Sequence, residues 1–210
     1  MKIIEQPSYG WSSAKAPHSC DYLSAQVVRV IKQLGVSRVL DLGSGNGVLC
    51  GALFDMGVKV VGIERDQGGV DISRRTYPAV KFHRFAVEDD PNRLLAEESP
   101  FDAVVSTEVI EHLYSPHLLP AYAAKVLKPA GRLILTTPYH GYLKNLALAV
   151  ADKWDHHHTV LWSGGHIKFF SRSTLTALLA EHGFTVEQFI GVGRMPYLWK
   201  SMLIVARRSA

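Results

Sequence analysis

Residues Arg38 to Gly47 read Arg-Val-Leu-Asp-Leu-Gly-Ser-Gly-Asn-Gly and carry the strongest structural signal in the chain. This stretch combines a short apolar strand, an aspartate near its end and three glycines at alternate positions. Glycines so spaced let the backbone turn sharply and approach a ligand closely, which a side chain at any of the three would obstruct. The stretch therefore predicts a buried strand followed by a loop that wraps a nucleoside-bearing ligand and opens a helix.

Two familiar glycine loops are excluded by this spacing. A dinucleotide-binding loop has the form G-x-G-x-x-G, but here the third glycine comes one residue early and Val48 occupies the place where it is needed. The loop also lacks the Lys-Ser/Thr pair with which a P-loop holds a triphosphate. A nicotinamide oxidoreductase and a nucleoside triphosphatase are thus disfavoured.

Apolar segments alternate with helical patterns along the chain, which is typical of a parallel sheet covered on both faces. The predicted strands are Val39–Leu42, Lys59–Ile63, Val80–Phe85, Ala103–Thr107, Arg132–Thr137, Thr185–Val192 and Leu198–Ala206. The predicted helices are Asp21–Leu34, Val48–Met56, Gly68–Thr76, Pro116–Leu127 and one that Ser171 caps and that runs to His182. The last two strands are predicted to pair with each other.

Composition bounds the class of protein. With 210 residues, of which 47% are hydrophobic, the chain suits one domain with a substantial core. Its 23 basic and 19 acidic residues are spread evenly, whereas nucleic-acid binders concentrate basic residues on one face. Two cysteines are too few for a disulfide framework, and the sequence shows no signal peptide or apolar run long enough to span a membrane. We expect a cytoplasmic protein without a nucleic-acid partner.

The motif from Asp41 to Gly47 resembles the first motif, D-x-G-x-G-x-G, of the class I S-adenosylmethionine-dependent methyltransferases. The resemblance implies S-adenosylmethionine as cofactor. It also implies a doubly wound, mostly parallel seven-stranded α/β sheet, a Rossmann-like fold with helices on both faces and an antiparallel last strand. We expect one methyltransferase domain over residues 1–210, with a substrate-side insertion at about 138–170.

Candidate cofactor contacts lie at the ends of the predicted strands, where ligands bind in open α/β sheets. Glu64 ends the second strand, and its carboxylate can accept hydrogen bonds from both ribose hydroxyls. The glycine loop contributes Gly43, Ser44, Gly45 and Gly47.

Three further contacts follow from the resemblance. Asp41 would organise the loop around the amino-acid end of the cofactor, although a short acid there could also simply accept loop amides. Many family members carry an aspartate for the adenine at the position of Ala86, so the backbone of Val87 is the expected adenine contact. Thr107 would lie beside the cofactor or act only as a local cap.

A second constellation, Glu108, Glu111 and His112, follows the fourth strand. If a helix begins near Glu108, the three side chains share one face, where two carboxylates and an imidazole can bind a divalent metal such as Mg²⁺ or Zn²⁺. The distant His166 could complete the set. The pattern resembles two groups of enzymes, the ubiquinone-biosynthesis O-methyltransferases and the enzymes that methylate the terminal ribose of small RNAs. In the second group the matching residues hold magnesium, which implies the same role for these four residues here. Without metal, His112 or His166 could act as a base, with Glu111 positioning the acceptor.

The insertion after the fifth strand is expected to select the methyl acceptor. Its segment from Leu143 to Trp154 has one apolar face, predicted to pack in the core or as a lid, or to meet a membrane if the acceptor is lipophilic. The run His156-His157-His158 is predicted to be a solvated loop. The expected activity is O-methylation of a small molecule such as a phenol or catechol-like ring. The alternatives are 2'-O-methylation of RNA ribose, or a cofactor-binding module without catalysis.

Overall fold

The computed structural model of the protein describes residues 10–11, 13–15, 20–158, 161 and 164–209. Seven strands of this part form one sheet in the order β3-β2-β1-β4-β5-β7-β6. They are β1 Arg38–Leu42, β2 Lys59–Ile63, β3 Lys81–His83, β4 Phe101–Thr107, β5 Leu127–Pro138, β6 Phe184–Val192 and β7 Ser201–Arg208. The last strand, β7, runs antiparallel to β5 and β6, while the remaining neighbours pair in parallel. The implied sheet is confirmed.

Helices cover both faces of the sheet because successive strand residues point to opposite sides. Val39 and Val105 belong to an apolar cluster with α1, α2 and α3, whereas Leu40 and Val104 belong to a second cluster with α4, α5 and α8. The described helices are α1 Cys20–Leu34, α2 Val48–Asp55, α3 Gln67–Thr76, α4 Pro91–Leu95, α5 Leu118–Val126, α6 Tyr142–Val150, α7 Trp154–His158 and α8 Arg172–Glu181. None of them is both long and apolar enough to cross a bilayer.

Several predicted boundaries were wrong by a few residues. Strand β3 is shorter than predicted, because the chain turns at Ala86, whose amide donates to the Asp89 carboxylate over 2.9 Å. Strand β5 starts earlier, since Leu127 pairs with Phe101 ahead of a bulge. Helix α5 starts later, because a turn that includes Pro116 precedes it.

Helices α6 and α7 occupy the expected insertion between β5 and α8. The interpretation that the apolar face of α6 packs in the core is wrong: Leu143, Leu146 and Val150 are 50%, 46% and 80% exposed. The buried residue of α6 is Lys144. The predicted solvated loop is also wrong, because Trp154–His158 is helical and His158 is buried. Helix α6 thus presents its leucines to solvent and its lysine to the protein.

Candidate active site

The site lies where the order of the strands reverses. From β1 the chain adds β2 and β3 on one side and then returns to place β4 on the other, so a crevice opens beyond the carboxyl ends of β1 and β4. The glycine loop follows β1, Glu64 follows β2, and the segment from Glu108 to His112 follows β4. The topology therefore brings the two sequence constellations to one edge of the sheet.

The glycine loop has the backbone that its sequence predicts. Gly43, Gly45 and Gly47 have φ angles of 87°, 55° and 81°, in the left-handed region that residues with a side chain rarely adopt. The amides of Gly43 and Ser44 both donate to the carbonyl of Ile63, over 3.0 and 2.9 Å. These bonds tie the loop to the end of β2, which brings Gly45 next to Glu64.

Glu64 is buried at the end of β2 and helps to shape the loop. Its Oε2 accepts from the amide of Gly45 over 2.9 Å, and its Oε1 accepts from the amide of Asp66 over 2.8 Å. Burial raises the pKa of Glu64, and these two amides partly offset that rise. Each carboxylate oxygen keeps a second lone pair. The carboxylate can therefore hold the loop and still accept hydrogen bonds from a ligand.

Asp41 is buried on β1, immediately before the loop. Its Oδ2 accepts from the thiol of Cys50 over 3.2 Å, while its Oδ1 has no hydrogen-bond partner. Burial raises the pKa of Asp41 to about 7, and the nearby charge of Glu64 adds to the rise. Among the described residues, no loop amide donates to this carboxylate, so the simpler role as a turn cap is wrong. The hydroxyl of Ser44 is likewise buried without a partner.

Trp11, Ser13 and Lys15 lie against the glycine loop. A Cβ placed on Gly45 would come 2.5 Å from the Trp11 indole, and one on Gly69 would come 3.0 Å from it. The side-chain amide of Asn46 donates to the carbonyls of Ser13 and Lys15, over 3.2 and 2.9 Å. Nothing in the sequence pattern indicated this role of Asn46. Tyr9, the aromatic residue two positions before Trp11, lies outside the described residues.

The remaining predicted cofactor contacts lie at the ends of β3 and β4. Val87 is buried in the loop after β3, and Thr107 is the last residue of β4. The hydroxyl of Ser106 donates to the carbonyl of Leu42 over 2.7 Å and so ties β4 to β1. Ser106 therefore acts as a strand tie, which leaves Thr107 as the strand-end hydroxyl beside the crevice.

The predicted helix at Glu108 is absent. Glu108 has a left-handed φ of 54°, and only a single 3₁₀ turn, Ile110–His112, follows it. Its carboxylate accepts hydrogen bonds from the hydroxyls of Thr136 and Ser201, over 3.0 and 3.3 Å. The expectation that Glu108, Glu111 and His112 share a helix face is wrong for this reason.

Glu111, His112 and His166 nevertheless converge. One ligand atom from each lies within 4.8 Å of the others, and Glu108 is outside this group. The carbonyl of Glu111 accepts from the amides of Ile167 and Lys168, over 2.9 and 3.0 Å, which places His166 beside the turn. The carboxylate of Glu111 accepts from Thr137 at Oε2, while its Oε1 has no partner and lies 4.0 Å from His166 Nε2.

Burial shifts the pKa of each member of this group towards its neutral form. The pKa of Glu111 is raised by burial and by the neighbouring Glu108 carboxylate. Burial lowers the pKa of His112, and it lowers that of His166 to about 4, with the neighbouring His112 adding to the effect. At neutral pH both imidazoles are therefore neutral, and each can accept a proton or bind a metal ion.

The 3₁₀ turn Ile110–His112 and the glycine loop lie next to each other. A Cβ on Gly43 would lie 2.5 Å from Val109 Cγ2, so the residue before the 3₁₀ turn packs directly on the loop. The turn that carries Glu111 and His112 therefore begins next to the glycine loop.

Comparison with known proteins agrees with this geometry. A family profile described as a methyltransferase domain matches residues 18–189. The ubiquinone biosynthesis O-methyltransferase of Xylella fastidiosa is 32% identical over 188 residues, covering 86% of this chain and 72% of that protein. The protein of the same name from Bradyrhizobium diazoefficiens is 28% identical over 180 residues, covering 81% of this chain and 67% of its own length.

Solved structures share the fold at low identity. Magnesium protoporphyrin IX methyltransferase from Synechocystis, with bound S-adenosylmethionine, has a TM-score of 0.64 and 16% identity, covering 89% of this chain and 78% of its own. The methyltransferase domain of a bacterial Hen1 has a TM-score of 0.66 and 18% identity, covering 88% and 97%. With its glycine loop, strand-end carboxylate and seven-stranded sheet, the chain belongs to the S-adenosylmethionine-dependent methyltransferases.

Proposed function

We propose that this methyltransferase acts on an oxygen of a small hydroxylated aromatic molecule, and that Glu111, His112 and His166 activate the acceptor. The observation that carries the proposal is the convergence of these three side chains beside the glycine loop. Relatives named O-methyltransferases support oxygen as the atom that is methylated.

The loop side of the crevice fits the cofactor. The buried, unpartnered Asp41 Oδ1 and Ser44 Oγ are polar atoms suited to a bound ligand, because burying such atoms without partners is costly. When bound, S-adenosylmethionine supplies an electrophilic methyl group on a sulfonium. The residues proposed to hold it are Asp41, Gly43, Ser44, Gly45 and Gly47 at its amino-acid end, Glu64 at its ribose, Val87 at its adenine, and Thr107.

What remains for the chain is to align the acceptor and to remove its proton. His112 and His166 are neutral at pH 7, so either imidazole can take the proton of an acceptor hydroxyl. His112 Nδ1 lies 3.3 Å from the carbonyl of Gly165 and donates to it, which leaves Nε2 as the atom that accepts the proton. Glu111, held by Thr137, orients the acceptor.

The same three residues fit a divalent metal ion. Two imidazoles and one carboxylate favour zinc, manganese or iron over magnesium, and the free Oε1 of Glu111 is a ready ligand atom. An ion held there would lower the pKa of an acceptor hydroxyl. Glu108 lies outside the group of converging ligand atoms and would act from beyond the ligand set. If the site holds such an ion, EDTA should abolish turnover and added Mn²⁺ or Zn²⁺ should restore it; full activity in EDTA would refute the metal and favour an imidazole as the base.

Two measurements test the proposed function. Calorimetry should show binding of S-adenosylmethionine and S-adenosylhomocysteine. Methyl transfer is then followed with labelled cofactor against phenol, catechol and an RNA with a free terminal ribose. We expect methylation of catechol and none of the RNA. Cofactor binding without transfer to any phenolic acceptor would contradict the proposed acceptor class.

A further inference from the structure

Helix α6 buries a lysine and exposes apolar side chains, which is the opposite of what the hydrophobic effect favours. Lys144 is 3% exposed, while Leu143 and Val150 on the same helix are half and mostly exposed. Burying a leucine or valine is worth roughly 1.5–3 kcal/mol, and burying an ammonium costs free energy unless it is paired. Folding alone does not favour this orientation, which indicates that the lysine is needed inside.

The Lys144 ammonium is incompletely paired. Its Nζ donates to the carbonyl of Lys200 over 3.2 Å, which uses one of its three donors. Among the described residues, no carboxylate lies within salt-bridge distance of it. Glu108 is close enough to stabilise its charge, but the Glu108 oxygens accept from Thr136 and Ser201. Arg194 adds further positive charge.

Two buried histidines of the insertion are also unsatisfied. His140 and His158 are 7% and 5% exposed, and their rings stack with centroids 5.6 Å apart. His140 Nε2 and both ring nitrogens of His158 have no hydrogen-bond partner. The Phe169 ring packs edge-on against both imidazoles, at 5.1 and 4.9 Å. An unpartnered buried polar group costs roughly 1–3 kcal/mol, so these nitrogens are better explained by a ligand.

Lys144 and His158 lie close enough to His166 for their charges to act on it. The charge of Lys144 acts on His140, His158 and His166, and His158 also acts on His166. His140 is tied to the segment that carries His166 by its amide, which donates to the carbonyl of Phe170 over 3.0 Å. The unsatisfied donors of the insertion therefore lie near His166.

We propose that Lys144, His140 and His158 form an anion-binding subsite for a carboxylate carried by the acceptor. The proposal rests on the proposed function and narrows its substrate class to hydroxylated aromatic acids. The ammonium neutralises the carboxylate, and the imidazole N–H groups donate to its oxygens. Phe169 and Trp154, both partly exposed, flank the aromatic ring that bears it.

The test compares 3,4-dihydroxybenzoate with its neutral analogue 3,4-dihydroxybenzamide. For the wild-type protein kcat/KM should favour the acid by about tenfold or more, as expected for a hydrogen-bonded charge pair. Lys144→Met, which keeps the length of the side chain, should bring the ratio close to one, and Lys144→Arg should restore part of it. Lys153→Met, an exposed lysine of the same insertion, is the matched control and should keep the preference.

Direct binding separates this proposal from the proposed function. Calorimetry of benzoate and benzamide is carried out with S-adenosylhomocysteine bound, so no methyl transfer is needed. Tighter binding of benzoate that is lost in Lys144→Met and His158→Phe supports the subsite even if no acceptor is methylated. Equal binding of the two probes to the wild type, or an unchanged preference in both variants, overturns it. Since His158→Phe keeps an aromatic ring at this position and leaves Lys144 in place, it covers the case in which Lys144→Met does not fold.

Discussion

Asp41→Asn is expected to stabilise the protein in a strongly pH-dependent way. The buried carboxyl has a pKa of about 7 in the folded protein, against 3.8 as the ordinary value. Between these values the folded state holds a proton that the unfolded chain has lost, so the free energy of unfolding falls as the pH rises. At 1.36 kcal/mol per pKa unit, the full penalty above pH 7 is about 4 kcal/mol. Asparagine has no such proton to lose.

The assay is urea unfolding of the wild type and of Asp41→Asn at pH 4.5 and pH 8, followed by circular dichroism. Between these pH values the difference in unfolding free energy between the two proteins should grow by about 3 kcal/mol. The remainder of the full penalty is already present at pH 4.5. Asp102→Asn is the matched control. Burial tends to raise the pKa of Asp102, but hydrogen bonds from Lys128 and Ser37 outweigh it and lower the pKa to about 2. Its effect should therefore be nearly constant over this range.

If the stability difference between the wild type and Asp41→Asn changes by less than about 1 kcal/mol, the raised pKa of Asp41 is contradicted, because the carboxyl would then be charged at no cost in the folded state. We further expect Asp41→Asn to bind S-adenosylmethionine at least tenfold more weakly, since a charge-assisted contact is lost. A variant that is both more stable and weaker in binding would show why the chain keeps a carboxylate that destabilises it.

Two more predictions concern the glycine loop and the 3₁₀ turn Ile110–His112. Gly43→Ala should lower the unfolding free energy by about 2–5 kcal/mol, because alanine is strained at a left-handed φ and its Cβ would lie too close to Val109. Gly35 also has a left-handed φ but open space around it, so Gly35→Ala should lower the unfolding free energy by only about 1–2 kcal/mol. Urea unfolding measures both, and equal losses would contradict the close contact. His112→Ala should reduce kcat at least a hundredfold and leave the cofactor affinity unchanged, because the proposed base is lost. His117 is exposed, so the control His117→Ala should keep the wild-type kcat. Turnover assays that show the same kcat for both variants would remove His112 from the site.

The sheet was predictable because each strand is a short apolar run that carries its own signal. The order of strand, glycine loop and helix around Asp41 follows from local sequence, and so does the position of Glu64 at a strand end. Strand ends were less predictable. Leu127 joins β5 only because it pairs with Phe101, a partner distant in sequence.

The acceptor side could be predicted only in part. Glu111, His112 and His166 were identified as candidates, but the helix expected to align them does not form, because Glu108 adopts a left-handed backbone. Periodicity revealed the apolar face of α6 without saying which way it points. Lys144 was missed for the same reason, although a lone lysine within an apolar helix was a signal that could have been weighed.

The position of Trp11 on the glycine loop has a consequence for how the loop is filled. The indole contacts Gly45 and lies next to Gly69, close to the Glu64 side chain. A ligand that enters the crevice beside Gly45 must meet this indole, so we expect its binding to move the Trp11 side chain. The chain thus carries a built-in fluorophore whose emission reports that event without any added label.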